Sequence, residues 1–454
     1  MSAKKKNVFI VGLDDFNLEK LRRLPQAAEC DFHAALKIED IRNVQQYDIE
    51  KLLAVAIANM ENHPGGVDGV ASYFDFPGTV LVPILAAHFK LPGPSLEAVL
   101  KCEHKYWSRL EQRKVIAEHI PQFRAFDPFD EEAYSKLGLL PPFWIKPIKS
   151  FRSFLAFHIN DERQFKAVMP VCREKVDFMC QPFQYLMSRF GAPPEIAGMP
   201  ESFVAETPIG GWQCTLEGYS YQGQVQVYGV VDSIREQDSS SFARYEYPSS
   251  LPMEIQHRMI DLARLAVRQF GLDNAPFNAE FFYDQTSDQV WFLEINPRVS
   301  QAHSDIFEKV HGVSHLSVMV DLALGRKPKP MERQGPFNVA GHFMLRTVES
   351  GRVLRVPSAE AIKRLKQRQP GTEVKIPVKP GQHLKELQGQ DMYSFEIANL
   401  FIGGRDQADL LDRYDEALAV LQFDIEKDPQ PVIISGLTER DICGQWYHGP
   451  YCWI

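Results

Sequence analysis

The sequence predicts a mixed fold with α/β and α+β parts, and three observations predict it. A short β-branched apolar run ending in glycine, Asn7 to Gly12, precedes segments of helical period, the order of a small parallel-sheet domain. The stretch from Phe203 to Asp232 reads as successive strands with turn signals between them, an antiparallel layer. A chain of 454 residues is too long for one hydrophobic core, and this length predicts roughly three domains.

Taken in order, Asn7 to Gly12 is the expected first strand. No second glycine follows it closely, so GxGxxG is absent and a dinucleotide-binding reading has no support. Glu39 to Met60 has the period of one helix, Val67 to Tyr73 suits a second strand, and Phe76 to Lys90 is a helical pattern interrupted by Pro83. The turn-rich LPGPS at Leu91 to Ser95 closes an expected first domain, 1–95. Glu97 to Ile116 reads as one amphipathic helix bearing Lys105, in isolation a solvated helical lysine. FWIKP at Phe143 to Pro147 puts Lys146 in an apolar strand, where it must find an anion or lose its proton. Phe154 to Ile159 suits a strand, Asp161 to Met169 a helix capped by Asn160, and 186–202 a Pro- and Gly-rich surface insertion. FVAE ends a strand at Glu206. Tyr221 to Asp232 reads as a hairpin about Gln222 and Gly223, and Leu251 to Phe270 as a strong amphipathic helix. Glu308 to Leu324 is expected as a helix closed by Gly325, followed by a KPKP linker. The second domain is therefore expected over 96–330, with a lid at about 120–205 and a core at 206–330. The rest, 331–454, has short strands and a helix at Ala408 to Leu421, a small α+β cap ending in an aromatic-rich tail.

Composition narrows the function classes. Hydrophobic residues at 44% and charged residues at 24% belong to an ordinary globular protein. A net charge of −9 argues against a general nucleic-acid binder. No apolar run approaches the ~20 residues of a membrane span, and MSAKKKN is not followed by an apolar signal core, so a cytoplasmic protein without membrane or nucleic-acid partners is expected. The cysteines Cys30, Cys102, Cys172, Cys180, Cys214, Cys443 and Cys452 are scattered without a CxxC pair, which suits reduced thiols.

The chemistry concentrates in NAEFFYDQTSDQVWFLEINPR, Asn278 to Arg298. Apolar runs Ala279 to Tyr283 and Val290 to Ile295 flank a polar turn, a hairpin with a carboxylate on each strand, Glu280 and Glu294. Two carboxylates among apolar neighbours raise each other's pKa and lose hydration, a cost that a divalent cation removes. Asn296 adds an amide oxygen on the same side as Glu294, and Arg298 a planar fork for phosphate or carboxylate. Ligation by oxygen alone suits Mg²⁺ or Mn²⁺ on nucleotide phosphates, and not zinc.

FNAEFF, WFLEINPR and a following segment ending VMVDLALG closely resemble the ATP-grasp superfamily, in the branch of biotin carboxylase, carbamoyl-phosphate synthetase and L-amino-acid ligases. The resemblance implies an ATP-grasp fold, with a pre-ATP-grasp parallel-sheet domain before it and the small cap after it. It implies an ATP-dependent carboxylate-amine ligase that forms an acyl phosphate, acting on an amino acid or related small carboxylate and an amine, with ATP and Mg²⁺ or Mn²⁺ as cofactors and a homodimer as the family-level expectation. Glu280, Glu294 and Asn296 then hold metal, and Lys105 and Lys146 contact the phosphates. Glu206 lies at the hinge beside adenine, although by itself it reads equally as a strand-end surface acid. Arg298 and Arg346 act on the transferring group or the acyl phosphate, Arg346 alone reading equally as a surface strand arginine. Biotin carboxylases carry a glutamate base shortly after the arginine; here Ala302 stands there, between Gln301 and His303, which weakens a bicarbonate-activating alternative. His303 is a candidate substrate contact, though a lone histidine is more often structural. The loop after Lys146, IKSFRSF, lacks the family's glycines and offers Lys149, Ser150, Arg152 and Ser153 instead, which leaves a non-catalytic nucleotide-binding scaffold as a second alternative.

Overall fold

A computed structural model of the chain describes residues 4–42, 44–150, 154–190, 192–193, 196, 203–236, 241–387 and 394–428. They form two compact units, one of Met1–Val230, Leu251–Gln301 and His315–Pro330, the other of Val231–Ser250, Ala302–Ser314 and Met331–Ile454.

The first unit opens with β1 (Lys6–Leu13), buried throughout after Lys6. Helix α1 (Asp15–Arg23) starts at Asp14, whose carboxylate accepts the Asn17 N–H and satisfies a spare donor of the first turn. The chain returns as β2 (Cys30–Lys37), which the sequence left unassigned because CDFHAALK does not keep its alternation of apolar and polar residues along its whole length. The single helix expected over Glu39 to Met60 is two, α2 (Ile38–Ile41) and α3 (Ile49–Glu61), because Asp48 caps a fresh start by accepting the Lys51 N–H. After β3 (Gly69–Ala71) the sheet is complete, parallel and ordered β2-β1-β3. Helix α4 (Gly78–Phe89) runs on past Pro83, which is itself buried.

The helix expected over Glu97 to Ile116 is broken into α5 (Leu96–Glu103) and α6 (Lys105–Ile116). His104 between them is extended, and its Nδ1 accepts the Trp107 N–H at 3.2 Å, so a histidine serves as N-cap and Lys105 opens a helix instead of riding in one. The Lys105 N–H, spare at that position, donates to the Ile148 carbonyl at 2.7 Å.

Next come β4 (Phe123–Phe126), α7 (Ala133–Lys136), β5 (Phe143–Pro147), β6 (Phe157–Ile159), α8 (Glu162–Lys175), α9 (Asp177–Phe190) and β7 (Phe203–Glu206). Their strands make an antiparallel sheet ordered β4-β7-β5-β6. The cap of α8 is Asp161, not Asn160: its carboxylate accepts the Gln164 N–H at 2.8 Å. Helix α9 occupies the start of the stretch read as an insertion, Pro182 inside it having hidden the helical period. The rest of that stretch, apart from 192–193 and 196, and Arg152 and Ser153 of the lid loop, lie outside the described residues.

Strands β8 (Trp212–Tyr221) and β9 (Gln224–Arg235) meet at Gln222 and Gly223, with φ of 51° and 74°, the left-handed pair a two-residue hairpin requires. Strand β9 passes into the second unit after Val230, and β10 (Phe242–Tyr247) belongs there. Helix α10 (Met253–Phe270), β11 (Ala275–Asp284) and β12 (Gln289–Asn296) return to the first, whose large sheet runs β12-β11-β8-β9. Phe277, Phe281, Phe292 and Ile295 of this sheet join Ala263, Val267 and Phe270 of α10 in one core.

The helix expected over Glu308 to Leu324 also divides, into α11 (Ser304–His311) and α12 (Leu316–Ala323), because Gly312 turns left-handed at φ 77° and ends the first. In the second unit β13 (Val339–Thr347), β14 (Gly351–Arg355), α13 (Ala359–Arg368), β15 (Glu373–Lys375), β16 (Phe395–Gly404), α14 (Gln407–Val420) and β17 (Asp424–Lys427) follow. Its larger sheet runs β9-β10-β13-β16-β15, and β14 pairs with β17 alone. Phe343, Leu365, Leu400, Ile402, Leu410 and Ala417 form its core. The aromatic tail lies outside the described residues, and among those described no helix is long and apolar enough to cross a membrane.

Candidate active site

Cross-strand register builds the site. Glu280 of β11 stands opposite Glu294 of β12 and opposite Thr215 of β8, and Asn278 stands opposite Asn296 and Glu217. Paired positions share a face, so these six side chains form one polar face on three strands while Leu216, Ala279 and Ile295 fill the core behind. Strict alternation would send Phe292 to the same face as Glu294. It does not, because the register shifts by one residue between Glu280 and Phe281: Phe281 pairs with Phe292, and Leu293 is the extra residue of a β-bulge. The bulge buries Phe292 and keeps Glu294 on the polar face.

The carboxylates are held by neutral and cationic donors. Glu280 accepts from the amides of Asn296 and Gln213, both at 3.2 Å. Glu294 accepts from Lys105 Nζ at 2.7 Å. Burial works against the charge of Glu294, but Lys105 and then Lys146 outweigh it and hold the carboxyl below its ordinary value. Lys105 in turn is raised: burial opposes its charge, and Glu294 more than compensates. Among the described residues no three His, Cys, Asp or Glu side chains gather as a metal cluster. The oxygen donors at this place are two facing carboxylates and the Asn296 amide, a hard set that fits Mg²⁺ or Mn²⁺.

Beside them lies a second charged group. Lys146 of β5 reaches Glu206 of β7 at 2.6 Å, and Arg109 of α6 reaches the other oxygen at 2.6 Å. Arg109 also donates to the Phe292 carbonyl at 3.1 Å, tying α6 to the strand that carries Glu294. Glu206 is 5% exposed, a buried acid and not a surface one. Burial alone would raise it, yet Arg109 and then Lys146 hold it well below the carboxylate range. One carboxylate shared by two cations leaves positive charge in excess. Burial, aided by repulsion from Lys105 and Arg109, accordingly depresses Lys146 despite Glu206. An added anion would relieve it.

A third group gathers around Asp75, in the turn between β3 and α4. Arg298 donates through Nε and Nη2 to Asp75 at 3.1 and 2.8 Å, and Lys149 is buried between Glu103, with which it is paired, and Asp75 at 3.8 Å. Burial opposes both charges, yet Arg298 and Lys149 lower Asp75, and Asp75 raises Arg298. Glu217 is different. Fully buried, it accepts from Asn278 at 2.7 Å and faces His315 at 3.7 Å, and burial pushes its carboxyl up.

Of the residues named from sequence, Lys105, Lys146, Glu206, Glu280, Glu294, Asn296 and Arg298 all lie in the first unit; the charged ones act on one another electrostatically, and Asn296 donates to Glu280. Two belong to the second unit. Arg346 donates to the Phe242 carbonyl at 2.9 Å, to Ser394 at 3.0 Å and to Glu396 at 3.2 Å. His303 is 2% exposed, its ring edge-on to Tyr245 at 4.8 Å. The sequence reading missed Asp75, Glu103, Arg109 and Glu217. Arg109 was within reach, four residues after Lys105 and so on the same helix face; Glu217 was too, third of the alternating Gln213, Thr215, Glu217. Asp75 and Glu103 carry no local signal.

Residues 139–305 match the sequence model of the ATP-grasp domain family. No curated protein matches the sequence. Among solved structures, an L-amino acid ligase from Bacillus licheniformis is similar at 18% identity, with a TM-score of 0.68 over 93% of this chain and 99% of that one. N5-carboxyaminoimidazole synthase from Aspergillus clavatus, in complex with ADP and 5-aminoimidazole ribonucleotide, gives 13%, 0.62, 92% and 98%. Biotin carboxylase from Campylobacter jejuni gives 16%, 0.60, 93% and 93%. At such identities the likeness is one of fold, and the fold is ATP-grasp.

Proposed function

Since the chain carries an ATP-grasp domain, we propose that it is an ATP-dependent carboxylate-amine ligase working through an acyl phosphate. The observation that carries this reading is the face-to-face placement of Glu280 and Glu294, with Asn296 beside them and Lys105 on Glu294. Phosphoryl transfer asks for positioning and charge neutralisation more than for covalent help from the protein. Mg²⁺ or Mn²⁺ on Glu280, Glu294 and Asn296 would supply a Lewis acid that neutralises the phosphates of ATP. Asn296, whose amide nitrogen donates to Glu280 and Asn278 at 3.2 Å, would offer its amide oxygen to such an ion.

In this reading Lys105 and Lys146 bind the triphosphate, and Glu206 holds Arg109 and Lys146 in place. A substrate carboxylate oxygen attacks the γ-phosphorus, the bond to the β-γ bridging oxygen breaks, and ADP leaves. The amine then attacks the acyl carbon, loses a proton, and inorganic phosphate departs. Arg298 steadies the anionic group, with Asp75 fixing its fork, and by family resemblance Arg346 serves the acyl phosphate. His303 is a substrate contact. An amino acid or related small carboxylate is the substrate class, supported by the similarity to an L-amino acid ligase structure over nearly its whole length.

Release of ADP and phosphate from MgATP in the presence of paired amino acids, or an amino acid and a simple amine, tests the proposal. Turnover that needs both co-substrates and yields an amide supports it. Turnover driven by bicarbonate alone overturns it, as does tight ATP binding without ADP formation under any pair.

A further inference from the structure

The second unit holds a cationic hollow that no part of the ligase reading uses and that does not depend on it. It has a volume of about 400 Å³ and lies along α13, walled on the far side by the end of α14. Arg355, Arg364 and Arg368 line it, together with Ser358 and an apolar floor that includes Leu365 and Val420. Among the described residues no carboxylate lines it. Asp424 stands opposite Arg355 in the pairing of β14 with β17 but outside the hollow.

Three guanidinium groups around one space are unusual in this chain, which has more acids than bases, 59 against 50. Four of its other arginines at the surface are paired with carboxylates: Arg258 with Asp288, Arg264 with Asp261, Arg326 with Glu29 and Arg405 with Asp409. Arg355, Arg364 and Arg368 have no ion-pair or hydrogen-bond partner among the described residues. Arg364 and Arg368 are one turn apart on α13, so they project on the same side and repel each other. At the other end Arg355 closes β14 and Ser358 caps α13 three residues later, its hydroxyl accepting the Ala361 N–H at 3.1 Å. The first turn of this ten-residue helix therefore adds its positive end to the same wall.

The volume falls in the range of small-molecule sites. Cations at both ends and an apolar floor between them select a ligand with a multiply charged anionic head and an apolar body. A planar guanidinium fork beside a helix N-terminus favours a phosphate head. We propose that this hollow is a second ligand site, which takes a small organic phosphate.

4-Methylumbelliferyl phosphate is a suitable probe, followed by fluorescence anisotropy on the full chain. Saturable binding is expected that weakens with salt, persists in Lys146→Gln, and is absent for 4-methylumbelliferone lacking the phosphate. The double variant Arg364→Ala, Arg368→Ala should lose at least about tenfold in affinity, since each charge-assisted contact contributes that much. These side chains are exposed, and circular dichroism checks that the variant is folded. Arg355→Gln, beside the start of α13, gives an independent second variant with the same expected direction. Unchanged affinity in the arginine variants overturns the proposal. So does equal binding of the phosphate-free probe, no saturation at millimolar probe, or loss of binding in Lys146→Gln, which would put the phosphate in the first unit.

Discussion

Glu206 illustrates how single residues set this site's behaviour. Arg109 and Lys146 both depend on it, and none of the three has water enough to do without a partner. Glu206→Gln should therefore cost about 3 kcal/mol at neutral pH, read from the urea midpoint. The sign with pH follows from linkage. The folded carboxyl lies below its unfolded value of about 4.3, so its stabilisation is complete above that pH and is lost as pH falls towards the folded value. The variant should lose stability less steeply than the wild type below about pH 4.3; parallel curves would contradict this assignment. At Glu294 the effect is on chemistry. Glu294→Gln keeps the size of the side chain but removes the charge facing Lys105, and ATP turnover should drop at least about a hundredfold while the fold, by circular dichroism, is kept.

At the scale of elements, two breaks in regularity position the chemistry, and neither was legible as such. The first is His104. Its segment, EAVLKCEHKYWSR, keeps an apolar face through the break, so periodicity alone could not divide α5 from α6. Burial depresses the His104 imidazole to about 4, which keeps it neutral and able to accept the Trp107 N–H. A base depressed in the folded state takes up protons more readily when unfolded, so this stabilisation is full above the unfolded value of about 6.5 and is lost between there and about 4. His104→Asn, which keeps a capping acceptor without titrating there, should flatten the dependence of unfolding free energy between those two pH values. An unaltered slope would show that another group titrates. The second break is the bulge at Leu293. The sequence showed Phe292 and Glu294 two apart, which simple alternation places together; burying one and presenting the other needs the extra residue. Deleting Leu293 should turn one end of β12 to the wrong face and abolish both ATP turnover and the near-ultraviolet signature of the packed core. A folded and active deletion variant would remove the bulge from the account.

For the whole molecule, what could be read from sequence was what is local. The β11-β12 hairpin with its acids and amide, the apolar strand bearing Lys146 and the helix bearing Lys105 all announce themselves within a dozen residues. Asp75 and Glu103 do not, because their place in the site depends on which distant segment lies beside them: Asp75 meets Arg298 across 223 positions, and Glu103 meets Lys149 across 46. Strand β2 and helix α9 escaped for a related reason, since tertiary burial sustains a strand without full alternation and a helix with a proline inside it. Seven candidate residues lie in one unit, and His303 and Arg346 lie in the other. Their joint purpose depends on whether the two facing carboxylates hold a divalent cation for the nucleotide. Titrating Mn²⁺ into the protein in the presence of ATP, with free Mn²⁺ read by electron paramagnetic resonance, tests that directly. The account predicts a nucleotide-dependent bound population whose affinity falls at least about tenfold in Glu280→Gln and again in Glu294→Gln. Wild-type affinity in both variants, or no bound Mn²⁺ in the wild type with ATP present, would contradict it.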